Sequence, residues 1–181
     1  SKFENLFGLG DLTRCLHVVP AREGDSIVIP NGRLHSLGAG TVVFEIQENA
    51  DTTYRVFDWN RRGLNGVPRE LHVDAALQCV NFSDHEPAAK GPDWQPTEGH
   101  QRQRIASERG AFALDHIRLV AERIPLPGMG VRMIGVTAGT LTVSGDESLK
   151  LSAGQFALVP ASLKSIEVAG RGSQFLLTQV A

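Results

Sequence analysis

Apolar and polar residues alternate along much of this chain in short runs of period two, the signature of β-strands that bury one face. Ser26 to Ile29 places Ile27 and Ile29 on one face, and Pro30-Asn31-Gly32 then supplies a turn. In Thr41 to Asn49, Val42, Phe44 and Ile46 share one face, while Thr41, Val43, Glu45 and Gln47 share the other. The apolar face is expected to be core. In Thr52 to Trp59, Thr53, Arg55, Phe57 and Trp59 face one way, and Tyr54, Val56 and Asp58 face the other. A short strand is expected over Arg69 to Val73, followed by a brief helix N-capped by Asp74. Before these strands, Phe3, Leu6, Phe7, Leu12, Cys15 and Leu16 fall at mixed helical spacings that predict a short helix or two. Beyond Ala111 the period-two pattern returns at Leu114 to Val120, Val131 to Val136, Thr140 to Val143, Leu149 to Leu151, Phe156 to Val159, Ser165 to Val168 and Phe175 to Val180. Short strands punctuated by Gly and Pro predict an all-β, antiparallel sandwich or barrel architecture.

Between the two patterned regions, residues 81–110 are polar, hold three prolines and keep no period, so a long connection is expected there. The expected organisation is therefore a first domain over 1–80, a linker over 81–110 and a second domain over 111–181. A repeat supports the division. Gly24, five residues, Pro30, one residue, Gly32, two residues, His35 returns 130 positions later as Gly154, Pro160, Ser162 and Ser165. The second copy has lost the turn glycine and the histidine.

Composition narrows the function classes. With 181 residues, 41% hydrophobic and a formal charge of −2, the chain has material for real cores and no basic excess to recruit nucleic acid or an acidic membrane surface. No run of 18 apolar residues occurs, so no membrane span is expected. Cys15 and Cys79 form no pairing motif, and free thiols in a cytoplasmic protein are expected. The first eight residues lack the layout of a secretory signal, and Ser1 in place of Met points to a truncated or processed chain.

The candidate chemistry sits in the first region. His35 follows a tight turn that gives it a defined direction, as a metal ligand requires; the plainer reading is a turn histidine bonded to a carbonyl. Glu45 and Gln47 point the same way, either to water on an outer strand or into a polar pocket that binds metal or sugar hydroxyls. Arg55, between aromatic neighbours, is either a structural ion pair with Asp51 or Asp58 or a fixed cation facing developing negative charge on a substrate. Arg61 and Arg62 sit in a Gly- and Asn-rich loop, where they could attract a phosphate, though a solvated loop is the better reading. His17 and His72 have no companion at ligand spacing and read as structural, and His85 and His100 are expected to face water.

The spacing from Gly24 to His35 resembles the second sequence motif of the cupin superfamily. The following segments, EIQENADTTYRVFDWNR over Glu45 to Arg61 and RELHVDAAL over Arg69 to Leu77, resemble the type I mannose-6-phosphate isomerase family. The likeness is close over residues 18–80 and looser over 111–181. It implies two cupin-like β-barrel or jelly-roll units and the C-terminal portion of an enzyme that interconverts mannose 6-phosphate and fructose 6-phosphate through an enediol(ate). His35 matches that family's C-terminal zinc ligand, Arg55 its catalytic arginine, and Glu45 and Gln47 its active-site strand positions. The resemblance implies one zinc ion in the full-length form, a sugar-phosphate substrate, a monomer or homodimer, and no nucleic-acid or membrane partner. The family's earlier metal ligands match no motif in residues 1–23, so this chain alone is expected to be inactive. A noncatalytic cupin module that binds sugar or regulates is the competing reading. An unrelated cupin oxygenase or epimerase would not need the D-T-T-Y-R segment.

Overall fold

The computed structural model describes residues 12–50, 52–59, 61–84, 87–107 and 111–180. The chain divides into two compact units, Ser1–Gly91 and Pro92–Ala181.

The second unit is an antiparallel β-sandwich with ten strands among the described residues. These are β1 (Gln95–Pro96), β2 (His100–Ser107), β3 (Phe112–Leu119), β4 (Arg123–Pro127), β5 (Arg132–Ala138), β6 (Thr140–Ser144), β7 (Ser148–Ser152), β8 (Phe156–Val159), β9 (Ser165–Ala169) and β10 (Gln174–Val180). One sheet has the order β1-β2-β3-β10-β5-β8 and the other β4-β9-β6-β7. The alternation read from the sequence builds the core directly. Ile117 and Leu119 of β3, Val136 of β5 and Phe175 of β10 meet Leu126 of β4, Leu141 of β6 and Val168 of β9 in one buried cluster. Each such side chain contributes roughly 1.5–3 kcal/mol by leaving water. Here the all-β antiparallel expectation matches the structure.

The 81–110 segment differs from expectation. The unit boundary falls between Gly91 and Pro92, and β1 and β2 lie in what reads as a connection. β2 is polar because its charges are used: Arg102 and Arg104 hold the buried carboxylate of Asp115, opposite them on β3, at 2.7 and 2.5 Å. β4 is also absent from the sequence reading, since Pro125 and Pro127 interrupt it. As an edge strand of its sheet it can spare those amide donors.

In the first unit, residues 41–50 and 52–58 form no strand, and the described residues pair only in isolated bridges at Ser26–Lys90 and Arg62–Pro68. The expectation that Val42 belongs to a core face is wrong, for its side chain is 95% exposed. Period two gives a strand its faces, but a ladder also needs a neighbouring strand, and the described residues provide none for 41–50. A 3-10 turn at Leu12–Cys15 and one helix, α1 (Val73–Cys79), are present. The other residues of the expected N-terminal helix, Phe3 to Phe7, lie outside the described residues. Asp74 falls inside the first turn of α1 rather than capping it; His72 occupies the cap position without a side-chain cap bond. Leu12, Val56 and Ala76 form a small buried cluster with Leu34 and Phe57 packed against it. Cys15 and Cys79 are free and exposed.

The repeated motif has repeated geometry. Gly24 and Gly154 adopt φ of 87° and 85°, values open to glycine at little cost. The Asp25 amide donates to Arg22 O at 3.1 Å, and the Gln155 amide to Ser152 O at 3.0 Å. In return Asp25 and Gln155 side-chain oxygens accept from the Arg22 and Ser152 amides at 2.9 and 2.7 Å. Arg33 and Leu163 amides close the two proline turns onto Pro30 O and Pro160 O at 3.2 and 3.1 Å. Only the first copy uses a left-handed turn residue, Gly32 with φ of 82°.

Candidate functional site

The candidate residues belong to the first unit, and a hairpin-like loop positions one of them. The His72 amide donates to Arg55 O at 2.7 Å, and the Arg55 amide donates to Nδ1 of His72 at 3.2 Å. Further along, Arg62 bridges Pro68, and the Gly63 amide donates to Val67 O at 2.8 Å. Asn65 tightens the tip by accepting the Val67 amide at 3.1 Å, the local bond that favours Asn in turns. Two segments that the sequence presents separately, T-T-Y-R-V-F-D and R-E-L-H, are thus the facing arms of one structure.

Arg55 is half-buried, and its Nη1 donates to Glu70 O at 3.3 Å. Among the described residues it has no carboxylate partner. Asp58, one of the partners considered for it, is engaged elsewhere: it is 6% exposed and held by Arg69 through Nε at 2.7 Å and Nη2, and by Arg61 through Nη2 at 2.8 Å. The hydrogen bonds from Arg69, ahead of those from Arg61 and against the cost of desolvation, hold the Asp58 carboxyl down at about 2. Asp51 lies outside the described residues.

His35 is exposed, and its Nδ1 lies 3.0 Å from Arg33 O. A carbonyl can only accept, so Nδ1 carries the proton and Nε2 presents the lone pair. That tautomer suits a metal-binding imidazole, whose far nitrogen commonly bonds a backbone carbonyl. It is not specific, because His100 makes the same contact with Glu98 O at 3.1 Å. Glu45 and Gln47 are exposed, and no hydrogen bond or ion pair among the described residues links His35, Glu45, Gln47 and Arg55. Among the described residues no group of three His, Cys, Asp or Glu side chains is placed to hold a metal. A tight zinc site takes three or four protein ligands, so these residues do not make one.

The sequence reading favours a solvated loop for Arg61 and Arg62 over a phosphate site and does not join Arg69 to them. Arg61, Arg62 and Arg69 line one cleft of about 410 Å3 with Gly63 and Leu64. Their grouping depends on the register of the two arms and on Asp58, neither of which is visible in a linear spacing. His72 serves as a backbone acceptor, as a structural role requires.

No family model matches the chain. It is 25% identical over 171 residues to the mannose-6-phosphate isomerase of Streptococcus mutans, covering 93% of this chain and 53% of that protein. The chain is similar in sequence to mannose-6-phosphate isomerases. It is also 38% identical over 81 residues to the probable mannose-6-phosphate isomerase GmuF of Bacillus subtilis, covering 45% of this chain and 26% of that one. The crystal structure of the Bacillus subtilis mannose 6-phosphate isomerase superposes with a TM-score of 0.59 at 20% identity, over 73% of this chain and 41% of that chain, which shows the shared fold. The chain spans about half the length of the Streptococcus relative and about a quarter of the Bacillus one.

Proposed function

We propose that this chain is the C-terminal portion of a mannose-6-phosphate isomerase, which interconverts mannose 6-phosphate and fructose 6-phosphate through an enediol(ate). The observation that carries the reading is the sequence likeness to isomerases along nearly the whole chain. Arg55 gives it chemical content. Its guanidinium is anchored through one nitrogen to a backbone carbonyl and is not neutralised by a described carboxylate. Such a cation stabilises the oxyanion that develops as a proton moves between C1 and C2, an effect worth about 3–4 kcal/mol for one well-placed donor. Glu45 and Gln47 are proposed to contact sugar hydroxyls.

His35 is proposed as one ligand of a zinc ion that polarises sugar oxygens in the full-length protein. The described residues do not complete that site, so the chain by itself is proposed to be inactive. The cytoplasm is the proposed location, with a monomer or homodimer as the assembly and neither nucleic acid nor membrane as a partner. Among the described residues no helix is long and apolar enough to cross a membrane.

The test compares this chain with a form extended at its N-terminus, measuring bound metal and interconversion of the two sugar phosphates. One equivalent of zinc and turnover in the extended form alone are expected. A zinc-loaded extended form that leaves mannose 6-phosphate unchanged removes the enzyme reading and leaves a sugar-binding cupin module.

A further inference from the structure

The cleft at the hairpin tip combines three guanidinium groups with a fixed scaffold. Arg61, Arg62 and Arg69 contribute to its lining, which contains no carboxylate of its own. Beneath it, Asp58 locks two of the three: Arg61 through Nη2 at 2.8 Å and Arg69 through Nε at 2.7 Å. Arg62 is held separately, with Nη1 donating to Gly66 O at 2.9 Å. Gly66 is itself fixed by its amide bond to Gly63 O at 2.9 Å.

The charge does not close. Three guanidinium charges against one carboxylate, ionised at any neutral pH, leave an excess of two positive charges. Nor are the donors used up. Each guanidinium carries five N–H groups. The bonds described engage Nε and Nη2 of Arg61 and Arg69 and Nη1 of Arg62. Among the described residues, Nη1 of Arg61, Nη1 of Arg69, and Nε and Nη2 of Arg62 have no acceptor and remain as donors. Guanidinium forks match the tetrahedral oxygens of phosphate, and arginines already fixed by other bonds lose little freedom on binding it. The volume, about 410 Å3, lies within the ~300–1,000 Å3 range of small-molecule sites.

We propose that this cleft binds a phosphate group, carried by a phosphomonoester or free as inorganic phosphate. Leu64, wholly exposed in the same lining, offers an apolar wall to the organic part of a phosphomonoester. The site is distinct from Arg55, which is not among the residues that line the cleft. It does not depend on isomerase activity.

Titration calorimetry at constant ionic strength, with inorganic phosphate, mannose 6-phosphate and mannose, tests it on the whole chain. Arg62→Gln removes a side chain that, among the described residues, bonds only to Gly66 O, and Arg61→Gln leaves Arg69 on Asp58. Both phosphate compounds are expected to bind, mannose is not, and each variant is expected to weaken phosphate binding about tenfold. Tighter binding of mannose 6-phosphate than of inorganic phosphate, lost in Leu64→Ser, identifies a phosphomonoester; equal binding identifies free phosphate. Phosphate binding no stronger than that of chloride, or unchanged in Arg62→Gln with native circular dichroism, overturns the proposal. Turnover is not read, so this outcome leaves the isomerase reading standing or falling by its own assay.

Discussion

Arg33 and Asp84 are joined by two hydrogen bonds, Nε to Oδ2 at 2.8 Å and Nη2 to Oδ1 at 2.6 Å, across 51 residues of chain. Arg33 also donates through Nη1 to Val28 O at 2.7 Å. One side chain therefore ties the turn before His35 to the segment that follows α1. The Asn81 amide adds a bond to Gly32 O at 2.9 Å. Both members of the pair are largely buried, and the carboxylate raises the affinity of Arg33 for its proton. Arg33→Ala and Asp84→Ala are each expected to lower the urea midpoint of the first unit. The double variant should lose no more than the worse single one. Trp59 fluorescence reports the transition, and additive losses would show that the two residues act independently.

Gly32 and Gly154 share a left-handed backbone, with φ of 82° and 85°, but not their surroundings. A Cβ at Gly32 would meet Cys79 O at 2.6 Å, whereas one at Gly154 would meet nothing within 4 Å. Gly154→Ala is expected to cost about 1–2 kcal/mol, the strain of an L-residue in that region. Gly32→Ala should cost more, since the end of α1 must move as well. Thermal melts of the two variants, compared side by side, give the order.

His116 is buried on β3, with Nε2 3.1 Å from Thr137 Oγ1, the Trp94 ring 4.7 Å away and Gln103 opposite on β2. Burial, with a smaller push from the Arg118 charge, lowers its pKa from 6.5 to about 4. The folded state thus excludes a proton that the unfolded chain accepts. This contribution to stability is complete above pH 6.5 and falls as pH drops towards 4, by at most about 3 kcal/mol. Equilibrium unfolding followed through Trp94 should show stability rising with pH across that window. His116→Gln, which retains a hydrogen-bonding side chain, should flatten it.

Arg55→Ala, in the longer form proposed to be active, is expected to lower turnover about 10²–10³-fold with zinc content unchanged. Parallel loss of metal and turnover would assign Arg55 a structural role instead.

The legible part of this fold was the part whose partners share the pattern. Phe156 to Val159 forms β8 as read, because four residues of alternation lie between two marked turns. β2 was missed because its arginines are satisfied by Asp115 on another strand, and local polarity cannot report a distant counter-ion. Val42 was misread for the converse reason: alternation promises a core face, but a neighbouring strand must supply the core. At the candidate site, His35 and Arg55 were visible as residue types at telling spacings. The cleft of Arg61, Arg62 and Arg69 was not, since Asp58 gathers it across a turn that the sequence shows only as a polar loop.

β10 lies between β3 and β5 at the centre of the larger sheet, yet it is the last strand in chain order. During synthesis, β3 and β5 must each wait with one hydrogen-bonding edge unpaired until β10 emerges. The sandwich therefore cannot assemble piecemeal as it leaves the ribosome. Until then the nascent chain carries two open strand edges beside Ile117, Ile134 and Val136, a window in which chaperones and neighbouring chains compete for the same surfaces.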